Sequence, residues 1–347
     1  MLDCERMKHP HTGLYHYCYH LGKNLLDLKT QEKFCFYLPK KESKVFGSDA
    51  CFVEQKTIHK LVFPRIRDTG LWHTTYQGTN YFPSGRNTKI LLTVHDLNFM
   101  YETKKPEKQK KYLQKLKQKI KRANHIVVIS EFVKNEIQKY FEPFENKKIE
   151  VIYNGCNIRS DIKAIRHPEV NFPFLLSIGT IAAKKNFHVL PGCLLNNDLH
   201  LVLAGIEQDT KYLEKIFQEA KRLGVQKRLH YLGPVTEGEK YWLLQNCALF
   251  IFPSLAEGFG LPVIEAMHFG KPVLLSKATS LPEVGGTHAS YLDHFDPRYM
   301  SQQTAIATNN HTMEKSIAIK KWADRFSWEQ TAKQYLEVYK SLLYGGS

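Results

Sequence analysis

The sequence predicts an α/β protein built from two doubly wound, parallel-sheet domains. Short apolar runs recur along the chain and alternate with amphipathic stretches at helical spacing. The runs are apolar throughout rather than every second residue, as strands covered on both faces require. With 347 residues and 43% apolar content, the chain is long enough for two ordinary domains and apolar enough to fill their cores.

In the first half, residues 2–4 read as the end of a short first strand. The loop HPHTGLYHYCYHL comes next, with Gly13 at the strand-to-helix turn. KFCFYLP (33–39) and GLWHTTYQ (70–77) read as strands from their β-branched and aromatic content. KILLTVHDLNF (89–99) is the clearest strand of this half and ends in His95-Asp96. Residues 104–122 hold ten Lys and Arg with Glu107 as the sole acid, and Leu113, Leu116, Ile120 and Ala123 fall at helical spacing. That predicts a helix with an apolar stripe and a basic face. HIVVIS (125–130) is a strand, with Ser130 placed to cap the helix EFVKNEIQKYF. KIEVIYNG (148–155) closes the half on an Asn-Gly turn, and the polar stretch 158–171 reads as a linker.

The second half is patterned in the same way. FLLSIG (174–179) is a strand, and GTIAAKKN leads from it into a helix. LHLVLAG, the helix TKYLEKIFQEAKRLGV and the strand RLHYLG come next. Thr236-x-x-Glu239 forms a capping box for EKYWLLQNC. Residues 248–252 are a buried strand. Gly258, Gly260 and Pro262 punctuate the loop after it, and Val263–Phe269 is a short helix stopped by Gly270. PVLLSK, LPEVGG and ASYLDHF continue the alternation. FSWEQTAKQYLEVYKSLL is a long amphipathic helix with Ser327-x-x-Gln330 as its cap.

The stretch 248–270 carries the chemistry. Glu257 falls in a loop at a strand's carboxyl end, where parallel sheets bind ligands. Glu265 falls in the first turns of the next helix. The glycines between them allow close backbone approach, and the helix N-terminus favours an anion such as a phosphate. Two carboxylates flanking an anion cradle make sense if each takes hydroxyls, as on a diphosphate held between two sugars. The alternative, two solvated carboxylates on one face of a continuous helix, conflicts with Gly258, Gly260 and Pro262. Lys184 and Lys185 sit at a strand-to-helix turn, where a cation opposes the helix dipole unless an anion is near. Fixed cations there would stabilise charge developing on a departing diphosphate. No D-x-D sequence and no cluster at metal-ligand spacing occurs, so a metal-independent site is expected.

EGFGLPVIE, followed by KPVLLSKATSLPEVGG, resembles the signature of group-4 retaining glycosyltransferases, the bacterial surface-polysaccharide type of glycosyl transferases group 1. TVHDL, GTIAAKKN and the glycine loop near Gly13 resemble further segments of that family, in the same order. The resemblance implies the GT-B fold, two Rossmann-like domains facing across a cleft. It implies an acceptor-binding domain over 1–160, a nucleotide-sugar-binding domain over 172–327, and a last helix, 328–347, packed back on the first domain. Glu265 would bind ribose hydroxyls. Glu257, Phe259 and Gly260 would orient the sugar, the latter two through backbone N–H groups, and Gly258 and Leu261 would also bind the donor. Thr180, Lys184 and Lys185 would face the phosphates, Gly13 the diphosphate and acceptor, and His95 the transferred sugar. The family loop commonly has an arginine where this chain has Thr180 and Lys184; lysine makes no bidentate contact. The front-face mechanism of the family uses the leaving phosphate as base. Beyond the substrate itself, GDP-mannose first and UDP-hexose second, no cofactor is expected. The transferred hexose would be mannose, and the acceptor a glycan or lipid-linked glycan of cell-surface polysaccharide.

The formal net charge of +15 is concentrated in residues 1–150, with 28 Lys and Arg against 16 Asp and Glu. Such a half should meet an anionic partner. The run 104–122 carries a single aromatic residue, too few for base stacking, so an anionic membrane surface is expected rather than nucleic acid. The alternative function is a non-catalytic basic protein that holds anionic lipid or nucleic acid through this run; no signature of a phosphorylase or epimerase is seen. Seven scattered cysteines with no C-x-x-C predict no disulfide framework and a reducing compartment. With neither an apolar leader nor a membrane-length apolar stretch, the expectation is a cytoplasmic protein, peripheral at the inner face of the plasma membrane.

Overall fold

The structure is a computed structural model that describes residues 1–10, 12–64, 66, 69–83, 87–102, 105–141, 147–156 and 158–345. His11 of the predicted glycine loop, Lys104 of the basic run and residues 346–347 of the predicted last helix lie outside them. In chain order the elements are β1 (Leu2–Asp3), α1 (Gly13–Asp27), β2 (Cys35–Leu38), β3 (Cys51–Glu54), β4 (Leu71–Thr74), β5 (Lys89–Val94), α2 (Phe99–Glu102), α3 (Pro106–Arg122), β6 (His125–Val128), α4 (Glu131–Phe141) and β7 (Ile149–Val151). The second half adds β8 (Phe174–Ile178), β9 (His200–Ala204), α5 (Thr210–Arg222), β10 (Leu229–Tyr231), α6 (Glu237–Asn246), β11 (Leu249–Phe252), α7 (Leu261–His268), β12 (Val273–Ser276), α8 (Leu281–Gly285), β13 (Ser290–Leu292), α9 (Pro297–Asn309), α10 (Met313–Ala323) and α11 (Trp328–Tyr344).

The chain divides into two units, residues 1–155 with 326–347, and residues 156–325. Unit 1 holds a sheet ordered β3-β2-β1-β4-β5-β6-β7 and unit 2 a sheet ordered β10-β9-β8-β11-β12-β13. Every strand pair is parallel. In each sheet the order reverses beside the first strand, the doubly wound arrangement that places ligands at the carboxyl ends.

One face of the unit 1 sheet packs on α1 and α11 through Tyr17, Leu21, Phe36, Leu91, Trp328, Tyr335 and Tyr339. A polar network runs through this core. The Tyr17 hydroxyl donates to Tyr335 Oη at 2.7 Å, and Thr93 Oγ1 lies 3.0 Å from Tyr335 Oη. His73 reaches Tyr339 Oη through Nδ1 at 2.7 Å and Thr93 Oγ1 through Nε2 at 2.8 Å. Burial holds the His73 imidazole well below its usual pKa, so the ring is neutral.

Several expectations need correction. Cys35 and Cys51 are joined by a disulfide, because β2 and β3 are neighbours in register with these two residues opposite each other, Cα to Cα 4.5 Å. The other five cysteines are free and buried. GTIAAKKN does not lead into an α-helix: 3₁₀ turns occupy Ala183–Lys185 and Phe187–Leu194, and Pro191 lies inside the second, where α-helical bonding would lack a donor. Ser327 is the N-cap of α11, but its side chain makes no capping bond. The Thr236–Glu239 box forms in both directions. Among the described residues no helix is long and apolar enough to cross a membrane.

Candidate active site

In unit 2 the carboxyl end of β11 opens into the loop that carries Glu257. Gly260 is the N-cap of α7 with φ +113°, a conformation open to glycine, and an added Cβ would sit 3.0 Å from Leu281 Cδ2. Leu261 is the first helical residue and Pro262 the second, while Gly270 (φ +70°) lies just past the helix end. Phe259 is buried and Gly258 half-buried.

Lys185 and Glu257 come together. The Lys185 ammonium donates to Glu257 Oε1 at 2.5 Å, with side chains only 12% and 13% exposed. The Ser254 hydroxyl lies 2.5 Å from the same oxygen and 3.2 Å from the Lys184 carbonyl, and Leu255 N–H donates to that carbonyl at 2.8 Å. The 3₁₀ turn after β8 is thus laced to the loop after β11 through backbone as well as charge. Asn186, at φ +59°, turns the chain away after the lysines. The Lys185 ammonium also lies 4.8 Å from the centre of the Phe252 ring. Lys184 and Thr180 are half-buried.

The loop after β12 supports Glu257 from the other side. Glu257 N–H donates to Thr279 Oγ1 at 3.0 Å, and the Ser280 hydroxyl donates to the carbonyls of Phe259 at 2.9 Å and Glu257 at 3.2 Å. Thr279 has φ +54°, an uncommon conformation for a β-branched residue.

Glu265 has its own partner. Lys240, on α6, donates to Glu265 Oε1 at 2.7 Å and to Glu237 at 2.9 Å. Burial alone would lower the Lys240 pKa, but Glu265 and Glu237 outweigh it and hold the ammonium above its usual value. Ser254, Thr279, Ser280 and Lys240 were not singled out from the sequence. Their partners lie in other loops or on another helix, and no spacing rule marks them; the Thr-Ser pair in KATSLPEVGG is the one local cue.

His95 and Gly13 belong to unit 1. His95 follows β5, is 7% exposed, and meets Tyr17 edge to face at 4.6 Å. Its Nε2 donates to the Thr75 carbonyl at 2.7 Å, and its N–H to Gln77 Oε1 at 3.0 Å. Burial lowers its pKa to about 4, so at neutral pH the ring is uncharged, with the proton on Nε2. Gly13 is the first residue of α1 behind the N-cap Thr12, whose hydroxyl accepts from Tyr15 N–H. Among the described residues, its chain neighbours and own helix backbone aside, no atom lies within 4 Å of a Cβ added at Gly13, so packing there does not demand glycine. Among the described residues no three His, Cys, Asp or Glu side chains gather as a metal set.

Residues 158–292 match the family described as Glycosyl transferases group 1, and residues 69–160 match Glycosyltransferase Family 4. The chain is 27% identical over 381 residues to the O-antigen chain mannosyltransferase B of Escherichia coli, covering 97% of this chain and 98% of that protein. It is 31% identical over 229 residues to the O-antigen chain mannosyltransferase RfbU of Salmonella typhimurium, covering 65% of this chain and 61% of that one. Among solved structures, Anabaena HepE in complex with UDP shares the fold, with a TM-score of 0.74, 18% identity and 98% of each chain covered. The two family matches run nearly end to end from residue 69 to residue 292 on two doubly wound units, and the chain belongs to the group-1 glycosyltransferases, family 4.

Proposed function

We propose that this glycosyltransferase retains anomeric configuration and moves a hexose from a nucleotide-diphosphate sugar to a glycan or lipid-linked glycan of cell-surface polysaccharide. Mannose from GDP-mannose is the first choice and a UDP-hexose the second. The observation that carries the reading is the Lys185–Glu257 pair at the carboxyl ends of β8 and β11. Similarity to two O-antigen chain mannosyltransferases supports the choice of sugar and product class.

In this reading Lys185 keeps one of its three N–H donors on Glu257 and turns the others to the diphosphate, with Lys184, Thr180 and the loop of Gly258–Leu261 beside it. Both bonds to Glu257 fall on Oε1, which leaves Oε2 to accept from a hydroxyl of the sugar. Glu265, steadied by Lys240, takes the ribose hydroxyls. His95, uncharged, contacts the sugar as a hydrogen-bonding group rather than a proton source, and Gly13 borders the diphosphate and acceptor. The bond from C1 to the diphosphate oxygen breaks while C1 joins the acceptor oxygen on the same face. The acceptor proton passes to the leaving diphosphate, whose charge the lysines stabilise. The protein works at the inner face of the plasma membrane.

The test is a panel of nucleotide sugars, scored by thermal shift and hydrolysis. GDP-mannose should raise the melting temperature, since a ligand of the native state stabilises it by mass action. Absence of binding and hydrolysis across GDP- and UDP-sugars would overturn the proposal.

A further inference from the structure

One of the two oxygens of Glu265 is already taken by the protein. Lys240 donates to Oε1 at 2.7 Å, and among the described residues no bond is made to Oε2. The same ammonium meets Glu237 Oε1 at 2.9 Å, and the Lys240 and Glu265 side chains are only 16% and 20% exposed. Burial would lower the Lys240 pKa, but Glu265 and Glu237 outweigh it, so the group stays a cation pinned between two carboxylates. Burial, and then the neighbouring Glu265 charge, push the Cys156 thiol well above its usual pKa, so it adds no further charge beside them.

Lys240 rides on a helix with little room to shift. Two residues before it, Gly238 presses on the segment 159–165: an added Cβ would lie 2.8 Å from the Lys163 carbonyl, and the Gly238 carbonyl accepts the Ile165 N–H at 2.9 Å. One residue after it, Tyr241 is buried and its hydroxyl accepts the Arg159 N–H at 2.9 Å. The helix that bears Glu265 is fixed at both ends. The Ser280 hydroxyl holds the Phe259 carbonyl just before α7 starts, and His268, its last residue, donates through Nε2 to the Cys156 carbonyl at 2.9 Å. The Lys240–Glu265 bond therefore joins two anchored helices, not two free surface side chains.

A carboxylate grips the two neighbouring hydroxyls of a ribose when each of its oxygens accepts one. Here the ammonium, a stronger donor than a hydroxyl, keeps Oε1, and Oε2 alone is left to accept in full. We propose that Lys240 is a specificity-determining residue: by holding Oε1 it makes Glu265 read a single ribose hydroxyl, so that the site also takes a nucleotide sugar lacking the other one. This rests on the placing of Glu265 against the ribose in the proposed function. The energetic reason is the fate of the deserted oxygen. An acceptor left bare in a closed site bears its full desolvation cost, whereas one that keeps another donor loses little when a hydroxyl is removed. Lys240 is that other donor.

The test is calorimetric titration of the full chain with GDP, 2′-deoxy-GDP and 3′-deoxy-GDP, repeated with the UDP series, beside hydrolysis of GDP-mannose and UDP-glucose. One deoxy form should bind within about threefold of the unmodified nucleotide, and the other at least about tenfold more weakly. Lys240→Met bares Oε1 and should make both deoxy forms at least about tenfold weaker than the unmodified nucleotide in the same variant. Lys240→Gln, whose amide N–H can return to Oε1, should restore the one-sided pattern. These are ratios within one protein, so a loss of stability common to all ligands leaves them unmoved. Both deoxy forms weakened in the parent would overturn the single hydroxyl, and so would neither weakened. A one-sided pattern that persists in Lys240→Met would overturn the role of Lys240. No binding of either nucleotide would overturn the inference together with the donor reading. One-sided binding in a protein that hydrolyses neither sugar nucleotide would support the inference and overturn the catalytic reading instead.

Discussion

The ammonium of Lys185 and the carboxylate of Glu257 meet at 2.5 Å, across 72 residues of sequence, with little of either side chain exposed. A pair so enclosed is costly to break from one side, because the survivor is left as a nearly buried, uncompensated charge. Lys185→Ala and Glu257→Ala should each lower turnover at least ~100-fold, the scale of one strong electrostatic contact at developing charge. Each should also cost about 3 kcal/mol of stability. The double variant should lose less stability than the sum of the two, as contacting residues do. Purified single variants with near-normal rates would remove these residues from the site.

Glu265 should act on binding rather than on chemistry. Glu265→Gln keeps the shape but weakens the hold of Lys240 and, in the proposed function, the acceptance of ribose hydroxyls. The expected outcome is KM for the donor raised about tenfold with kcat nearly unchanged, the mark of lost uniform binding. Steady-state kinetics at saturating acceptor checks it; a fall in kcat alone contradicts the assignment.

Thr279 has two opposing effects. Its left-handed backbone costs about 1–2 kcal/mol in a residue other than glycine. Its hydroxyl accepts the Glu257 N–H, a bond that contributes about 1 kcal/mol. Thr279→Gly removes both and should leave stability within about 1 kcal/mol of the parent. Thr279→Val keeps the strain, loses the bond, and should be the less stable of the two. Both should slow turnover as the Glu257 loop loosens. Urea unfolding ranks them, and valine above glycine would contradict the strain.

His95 should stay uncharged down to acid pH. Its folded pKa of about 4 lies below the usual 6.5, so the unfolded chain takes the proton first as pH falls. Stability from this group is therefore present near neutrality and is lost between pH 6.5 and about 4, reaching about 2 kcal/mol by pH 5. Asp3 works the other way, since burial raises its carboxyl to about 7. The comparison is best made as parent minus His95→Gln, where Asp3 cancels. That difference should shrink by about 2 kcal/mol between pH 7 and pH 5. A ring that titrates near 6.5 by NMR would contradict its burial.

Tyr335→Phe should destabilise the protein by about 1–3 kcal/mol by stripping Tyr17 and Thr93 of a buried partner. The loss should appear in the unfolding of unit 1 and leave donor binding intact. An unchanged midpoint would mean the network is not satisfied as described.

Much of this was legible in the sequence because the signals were local. Glycine, proline and an apolar run set Glu257 in a loop and Glu265 on a helix without knowledge of any contact. The strand β3 was missed because CFVE is a short edge strand with exposed faces, so it lacks the apolar run that marks a covered strand. The Cys35–Cys51 bond depends on two strands lying side by side in register, which no spacing of 16 residues announces. Lys240 lies 25 residues from Glu265 and on a different helix, where it looks like any surface lysine.

The return of α11 to the first sheet also orders events at the ribosome. The buried cluster of unit 1 includes Trp328, Ala332, Tyr335 and Tyr339. None of these exists when Gly155 emerges. All of unit 2, residues 156–325, must be translated first, which at about 5–20 residues per second takes on the order of ten to thirty seconds. The amino-terminal half thus waits with its aromatic seam unfilled while the later, contiguous half can finish. Vectorial synthesis, which ordinarily favours the part made first, here lets the second part mature ahead of it.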